Sequence, residues 1–208
     1  MDVEARFRRA RLAEAIGLTE PEVASWEVRG HGFERLPGQS RAMDIHPALR
    51  GAAWARSLPA GSLSVDAETL AAVVSALAER PDLWAALVRH DPQMRWYERV
   101  ALTDTVEVWL IGWCWGQHTS LHDHGGASGA VAVVGGTLRE TVVPAPGWPS
   151  RSRLLHTGSL LRVPPTTVHR VGNVHALAAT SIHAYSPPAL PMTTYDQALP
   201  VPALAAAA

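Results

Sequence analysis

The chain has 208 residues, a length that fits one domain with a terminal extension better than two full domains. Its residues are 47% hydrophobic and 18% charged, and the formal net charge is −1, so bulk charge gives no support for a nucleic-acid or membrane-surface partner. All 18 Lys+Arg positions are arginine, and the absence of lysine excludes Schiff-base chemistry by a lysine side chain.

The cysteine count and the hydropathy pattern exclude several classes of protein. Cys114 is the single cysteine, which excludes an intramolecular disulfide framework, a zinc ribbon and an iron–sulfur cluster. The N-terminus is charged and lacks the apolar core of a signal peptide, and no stretch approaches the roughly 18 uninterrupted apolar residues of a membrane helix. We expect a cytoplasmic protein, and a monomer because nothing in the sequence signals an obligate dimer.

The first 94 residues are predicted to form a helical extension that packs on the outside of the second part. An amphipathic pattern predicts a helix over residues 2–15, and Thr19 with Glu22 forms a capping box for a second helix. Residues 30–59 contain scattered Gly and Pro with no clear period, which is typical of a loop.

A longer helix is predicted ahead of the change in pattern near residue 95. Asp66 can cap a helix that runs to residue 80, and Pro81 is tolerated at the start of a shorter one. The longer helix carries one apolar stripe, formed by Leu70, Val73, Val74 and Leu77.

Residues 95–190 change to short β-branched and aromatic segments separated by Gly and Pro turns. The segments with the clearest strand character are 106–115, 129–134, 154–163 and 178–185. Several short strands at close spacing predict an all-β sandwich or barrel. Residues 191–208 are rich in Pro and Ala and are predicted to form a C-terminal tail.

The histidines of the second part have the spacing of metal ligands. His122 and His124 are two residues apart, so on a strand their imidazoles point to the same side. A functional metal site needs a third ligand, for which His169 is the candidate. Histidine is the commonest metal ligand, so the spacing indicates a metal site.

The segments around these histidines resemble the paired motifs of the cupin superfamily. The first motif, G-x5-H-x-H, is matched at every fixed position by Gly116, His122 and His124. The second, G-x5-P-x-G-x2-H-x3-N, is matched by Gly158, Pro164, His169 and Asn173, with Thr166 replacing the internal glycine. The resemblance implies a jelly-roll-like β-barrel with the helical N-terminal region outside it.

The first motif lacks the glutamate ligand that typical cupins carry shortly after it. Residues 125–132 contain no acid, so the expected ligand set is three neutral histidines. Such a set adds no negative charge and leaves positions open for substrate and oxygen. The ion then keeps its full charge and should attract an anionic ligand such as a thiolate.

A second constellation lies on the last predicted strand. Ser181, His183 and Tyr185 alternate, so a strand places all three side chains on one face. They either form a hydrogen-bonded relay that ends at the metal pocket or line the polar outer face of an antiparallel strand. The pattern alone leaves both interpretations open.

The chain further resembles the cysteine dioxygenase family, a cupin branch of thiol dioxygenases whose iron is bound by three histidines. The segments that carry this resemblance are Trp96-Tyr97-Glu98-Arg99, Leu121-His122-Asp123-His124, Val168-His169-Arg170-Val171-Gly172-Asn173 and Ile182-His183-Ala184-Tyr185-Ser186-Pro187-Pro188. The similarity covers roughly residues 65–188 and leaves residues 1–63 unexplained.

The resemblance implies a role for each matching position. The residues that would bind Fe(II) are His122, His124 and His169. The substrate carboxylate would be bound by Arg99 beside Tyr97, and the pocket would be lined by Ile111 and Trp113. The active-site tyrosine would be Tyr185, with His183 and Ser181 as its relay.

One feature of animal members of that family is missing. They carry a cysteine that forms a thioether with the active-site tyrosine, and Gly129 occupies the matching position here. Bacterial members commonly have glycine there. We therefore expect Tyr185 to stay unmodified.

Three alternative functions follow from these expectations. The first is an Fe(II) thiol dioxygenase that oxidises L-cysteine with O2 to its sulfinic acid. The second is the same reaction on 3-mercaptopropionate or ergothioneine. Three tryptophans form either part of the barrel core or an aromatic wall that would suit the quaternary ammonium of ergothioneine: Trp109, Trp113 and Trp115. The third is a non-enzymatic cupin that binds a metal or a small molecule, for which the relay would have no evident use.

Overall fold

Two antiparallel sheets dominate the part of the chain that the computed structural model describes, residues 43–61, 64–144, 149–188 and 190–195. The first sheet has the strand order β1 (Asp44–Ile45), β2 (Trp96–Leu102), β3 (Glu107–Trp113), β10 (Ala179–Ser186), β5 (Ser128–Gly135) and β8 (Leu160–Val163). The second has the order β11 (Thr194–Tyr195), β4 (Leu121–His122), β9 (His169–Gly172), β6 (Thr137–Val142) and β7 (Arg151–His156).

The helices lie against one face of the first sheet. They are α1 (Ala53–Arg56), α2 (Ala67–Ala78) and α3 (Pro81–Trp84), with 3-10 turns at Pro47–Leu49 and Ala85–Leu87. Asp66 caps α2 by accepting a hydrogen bond from the Thr69 backbone N–H over 2.8 Å, which confirms the predicted cap. None of the helices in the described ranges is long and apolar enough to span a membrane.

Two apolar clusters follow from the alternation of side chains along the strands. One face of the first sheet packs on the helices through Val108, Leu110, Ile182 and Ala184, which join Leu70, Val74 and Leu77 of α2. The other face packs on the second sheet through Trp113, Val131, Val133 and Val163, which join Leu138, Leu155 and Val171. The expected all-β cupin barrel with helices outside it is confirmed.

Three expectations from the sequence differ from the structure or lie beyond it. The strand predicted over residues 154–163 is two strands, β7 and β8, because Gly158, with a φ of +90°, lies in a turn between them. Residues 30–59 are not all loop, since their described part contains β1, a 3-10 turn and α1. The helices predicted over residues 2–15 and after Thr19 lie outside the described residues.

Candidate metal site

Three buried histidine side chains converge in the second sheet. His122 ends β4 and His169 begins β9, and the two residues are paired directly across these antiparallel strands. His124 follows two residues later, and the three residues are 4%, 2% and 3% exposed for His122, His169 and His124. One nitrogen from each ring lies within 4.8 Å of the others, a separation that allows all three to bind one ion.

Hydrogen bonds orient two of these rings. Nδ1 of His122 donates to the Ser120 carbonyl over 2.9 Å, because a carbonyl can only accept. Nδ1 of His169 donates in the same way to Oε1 of Glu140 over 2.8 Å. In both rings Nε2 is then the nitrogen that is left to bind a metal.

The third ring supplies a test of whether a metal fits. Both nitrogens of His124 are buried, and neither has a hydrogen-bond partner among the described residues. Leaving a buried polar atom unsatisfied costs about 1–3 kcal/mol, and a bound ion would remove that cost by accepting the nitrogen lone pair. The donor set and this unsatisfied ring both fit a divalent transition metal.

His122 and His124 are neutral over the physiological pH range. Burial lowers the pKa of His124 to about 2, and the neighbouring His122, His169 and His183 lower it further in the same direction. Burial lowers the pKa of His122 to about 3, and the neighbouring His169 and Arg95 act in the same direction. A metal ion would therefore bind at these two rings without displacing a proton.

Glu140 is a residue of the candidate site that the sequence analysis missed. It lies on β6, is 1% exposed, and accepts hydrogen bonds from His169 and from Nε of Arg153, the latter over 2.6 Å. Burial alone would raise the pKa of this carboxyl, but the bonds from His169 and Arg153 hold the pKa below its ordinary value. An acid at an inward strand position, after Leu138 on the same face, is the signal in the sequence that could have identified it.

The relay interpretation of the last long strand fits the geometry. Trp113 Nε1 donates to Ser181 Oγ over 2.9 Å, Ser181 Oγ lies 2.8 Å from His183 Nε2, and His183 Nδ1 lies 3.1 Å from the Tyr185 hydroxyl. The Tyr185 ring lies beside His124, with ring centroids 5.0 Å apart. These side chains therefore form a chain of hydrogen bonds whose last member, Tyr185, lies beside the histidine cluster. The interpretation of this strand face as a polar outer surface is wrong.

The direction of this chain follows from its donors. Ser181 accepts from the indole, and its own hydroxyl proton has His183 Nε2 as its acceptor among the described residues. In the tautomer with the ring proton on Nδ1, His183 would donate to the Tyr185 oxygen, and the phenolic proton of Tyr185 would point away from the relay. Burial lowers the pKa of His183 to about 3 and raises the pKa of Tyr185, so both groups are neutral.

The carboxylate-binding arginine expected from the family pattern, Arg99, lies on β2, between the edge strand β1 and β3. The Arg99 side chain is 8% exposed, and Nη2 lies 3.3 Å from Oδ2 of Asp44 on β1. Its guanidinium carbon is 5.6 Å from the ring centroid of Trp109, which also contacts Tyr97 edge-on at 5.7 Å. Tyr97 is paired with Ile111, which is paired in turn with Ser181.

Arg95 is a second buried arginine that the sequence analysis did not single out. It is 6% exposed, and its Nη1 donates to the His118 carbonyl over 2.8 Å. Its guanidinium carbon lies 4.9 Å from the ring centroid of Trp113. Burial lowers the pKa of Arg95 to about 10, so the guanidinium is still charged at neutral pH.

Gly129 lies against Tyr185 in the same sheet. It pairs with Tyr185 across β5 and β10, and a Cβ at this position would lie 3.2 Å from Cδ1 and from Cε1 of the ring. The glycine thus allows the Tyr185 ring to pack closely on the backbone of β5.

The C-terminal end of the described chain forms hydrogen bonds to Asp123 of the first histidine motif. The Tyr195 hydroxyl donates to Oδ2 of Asp123 over 2.6 Å, and the Asp123 N–H donates to the Thr193 carbonyl over 3.0 Å. Asp123 stands between His122 and His124, so these bonds fix the backbone that carries two of the three rings.

Comparisons with known proteins agree with the site. The family model for cysteine dioxygenase type I matches residues 60–198. The cysteine dioxygenases type 1 of Bos taurus and Mus musculus are 28% and 29% identical to this chain over 143 residues, which is 64% of this chain and 71% of each relative.

Solved structures with a similar fold are more distant. An uncharacterized conserved protein with a double-stranded beta-helix domain from Klebsiella pneumoniae has a TM-score of 0.47 and 16% identity, over 54% of this chain and 94% of its own. A cupin superfamily protein from Desulfitobacterium hafniense has a TM-score of 0.42 and 15% identity, over 54% of this chain and 88% of its own. The family model covers more than half of the sequence and every site residue described above, and the chain therefore belongs to the cysteine dioxygenase family.

Proposed function

We propose that the protein is a non-heme Fe(II) thiol dioxygenase that converts a small thiol, L-cysteine first among the candidates, to its sulfinic acid. Both atoms of one O2 are added to one thiol, R–SH + O2 giving R–SO2H, so no further reductant is needed. One observation carries the proposal: a group of three buried histidines that contains no acidic residue lies beside Tyr185, whose hydroxyl is hydrogen-bonded to the relay.

The metal would be held by His122, His124 and His169, and imidazole ligands suit iron among several divalent ions. Fe(II) bound there would supply the positive charge that lowers the pKa of the thiol and the redox chemistry that the reaction with O2 requires. Because the ligand set contains no acid, no ligand would carry a negative charge that offsets the attraction of the ion for the thiolate. Glu140 orients His169 from behind, outside the ligand set.

Tyr185 would donate a hydrogen bond to the reacting groups. Its raised pKa keeps the phenol protonated, first through burial and then through the negative charge of Glu107. His183 and Ser181 fix the position of the hydroxyl oxygen, and with the ring proton of His183 on Nδ1 they would leave the phenolic proton directed into the pocket. A preorganised donor of this kind stabilises negative charge that develops during the reaction.

The pocket would bind the rest of the substrate through the first sheet. Tyr97, Ile111 and Trp113 lie on the face that carries the relay, and an arginine would bind the substrate carboxylate through two parallel hydrogen bonds. The family pattern assigns that role to Arg99.

Oxygen consumption by the iron-loaded protein tests the function. The protein is purified without oxygen, loaded with Fe(II) and mixed with L-cysteine, 3-mercaptopropionate or ergothioneine, and the products are identified by mass spectrometry. A gain of two oxygen atoms per thiol, at one O2 per thiol, supports the proposal and names the substrate. Absence of uptake with every thiol, despite bound iron, would favour a non-enzymatic cupin.

A further inference from the structure

The relay begins at an indole, a group that can donate a hydrogen bond but cannot accept one. Trp113 lies on β3 and is paired with Ala179 of β10, two residues before Ser181, so the side chains of Trp113 and Ser181 leave the sheet on the same side. The indole Nε1–H donates to Ser181 Oγ over 2.9 Å, and both residues are 0% exposed. The first bond of the relay is therefore shielded from solvent.

The Ser181 hydroxyl has two hydrogen-bond partners among the described residues, the indole of Trp113 and Nε2 of His183. Because the indole cannot take the hydroxyl proton, His183 Nε2, at 2.8 Å, is its acceptor. If Nε2 carried the ring proton instead, Ser181 would receive two donors, and its own proton would be buried with no acceptor in the described part of the chain. This arrangement favours the tautomer of His183 with the ring proton on Nδ1.

The tautomer of His183 decides where the Tyr185 proton points. Burial lowers the pKa of His183 to about 3, so the ring is neutral and carries one proton at neutral pH. With that proton on Nδ1, His183 donates to the Tyr185 oxygen at 3.1 Å, and the phenolic proton can point toward the neighbouring His124 and the metal cluster. With the proton on Nε2, Tyr185 would have to donate to Nδ1, and its proton would be held inside the relay.

We propose that Trp113 is a positioning residue: by donating to Ser181 it holds His183 in the Nδ1-protonated tautomer and so directs the hydroxyl proton of Tyr185 toward the substrate. The effect on the reaction rests on the proposed thiol dioxygenase function, whereas the tautomer is a property of the protein itself. In this role Trp113 acts through Ser181 and His183, in addition to its place in the wall of the pocket.

Nitrogen-15 NMR of the histidine side chains tests the tautomer without turnover. The full-length protein is loaded with Zn(II), a diamagnetic ion of the same charge as Fe(II), and the signals of His183 are identified by their absence in His183→Gln. We expect the Nδ1-protonated form in the wild type in about 5- to 150-fold excess, the ratio that corresponds to leaving one buried donor unsatisfied. A wild type in which the Nε2-protonated form predominates would overturn the proposal.

Trp113→Phe removes the indole N–H and keeps an aromatic ring beside Arg95. The smaller ring leaves space for a water that can accept the Ser181 proton, so both tautomers become satisfied. We expect a mixture of tautomers and a kcat about 3- to 10-fold lower, with a smaller change in KM. Trp84→Phe is the matched control, because the buried Trp84 Nε1 donates to the Leu77 carbonyl over 2.9 Å, far from the relay, and its loss should change neither quantity. An unchanged tautomer in Trp113→Phe contradicts the proposal.

A double-mutant cycle separates an effect through the relay from an effect on packing. Ser181→Ala removes the hydroxyl that joins Trp113 to His183, so Trp113→Phe should cause no further loss of kcat in that background. Equal fold losses in both backgrounds would assign Trp113 a packing role and overturn the proposal.

Should Trp113→Phe not fold, the NMR spectra of the wild type and of Ser181→Ala carry the test. Loss of the hydroxyl must then release the preference for the Nδ1-protonated form of His183, and retention of the wild-type tautomer contradicts the proposal. Failure of the wild type to oxidise any thiol would contradict the proposed function alone, because the tautomer is measured without turnover.

Discussion

Glu140 supplies a negative charge one hydrogen bond away from the metal ligands, in a cluster whose own ligands are neutral. Glu140→Gln keeps the size of the side chain but removes the charge and allows the amide to donate toward His169. We expect metal affinity to fall about 10- to 100-fold, the usual effect of removing a partner of a ligating histidine. Competition with a chelator of known affinity measures this change.

Glu68→Gln is the matched control, since Glu68 also pairs with an arginine but is exposed. Equal metal affinity in Glu140→Gln and the wild type would mean that His169 is oriented by the sheet alone. The burial of Glu140 argues against that result, because burying a carboxylate costs folding free energy that its hydrogen bonds must offset.

Tyr185→Phe removes the hydroxyl at the end of the relay and leaves the ring in contact with His124. We expect kcat to fall about 100-fold, as for the loss of one preorganised donor, while iron content stays at the wild-type level. Single-turnover oxidation and metal analysis of the same sample measure both quantities. A parallel loss of iron and activity would assign Tyr185 a structural role.

At the scale of elements, β11 acts on the metal site from a distance. Tyr195→Phe deletes the bond to Asp123 and should weaken metal binding severalfold, because Asp123 lies between two ligands. Thr137→Val deletes an exposed hydrogen bond between Thr137 on β6 and His156 on β7, and it should leave metal affinity unchanged. Isothermal titration with a divalent metal distinguishes the two variants, and equal affinities would remove β11 from the metal site.

The elements also explain which site residues can be predicted from the sequence. His122 with His124, and Ser181 with His183 and Tyr185, lie within single segments where a period of two sets the face. Glu140 meets His169 from another strand, and Arg95 meets Trp113 across the β2–β3 hairpin. Their roles depend on strand register, which local patterns do not specify.

The same limit applies to the elements themselves. The clear strands, β3, β5 and β10, are rich in apolar or β-branched residues and were predicted with small shifts at their ends. β1 and β4 contain two residues each, too few to show a period, and exist because longer strands pair with them. Short elements of this kind follow from tertiary pairing rather than from propensity.

For the whole molecule, buried neutral histidines make the stability of the metal-free protein depend on pH. The pKa of His183 is lowered from 6.5 to about 3, so the unfolded chain binds a proton in this range that the folded chain does not. The free energy of unfolding therefore falls as the pH falls below 6.5 toward 3, by about 1.4 kcal/mol per pH unit for each such histidine.

Urea unfolding of the metal-free protein at several pH values measures this slope. His183→Gln should reduce the slope by the contribution of one proton, although it also lowers stability at neutral pH by disrupting the relay. Identical slopes in wild type and variant would mean that His183 titrates alike in the folded and unfolded states.

The central position of β10 in the first sheet has a further consequence for how the protein opens. β10 is paired along its length with β3 and β5, so its amide protons should exchange with solvent only when the whole domain unfolds. β4 and β11 pair over two residues, and their amides can exchange through local opening. Two of the metal ligands can thus separate from the third while the relay strand stays closed, which allows a metal ion to enter or leave without unfolding the barrel.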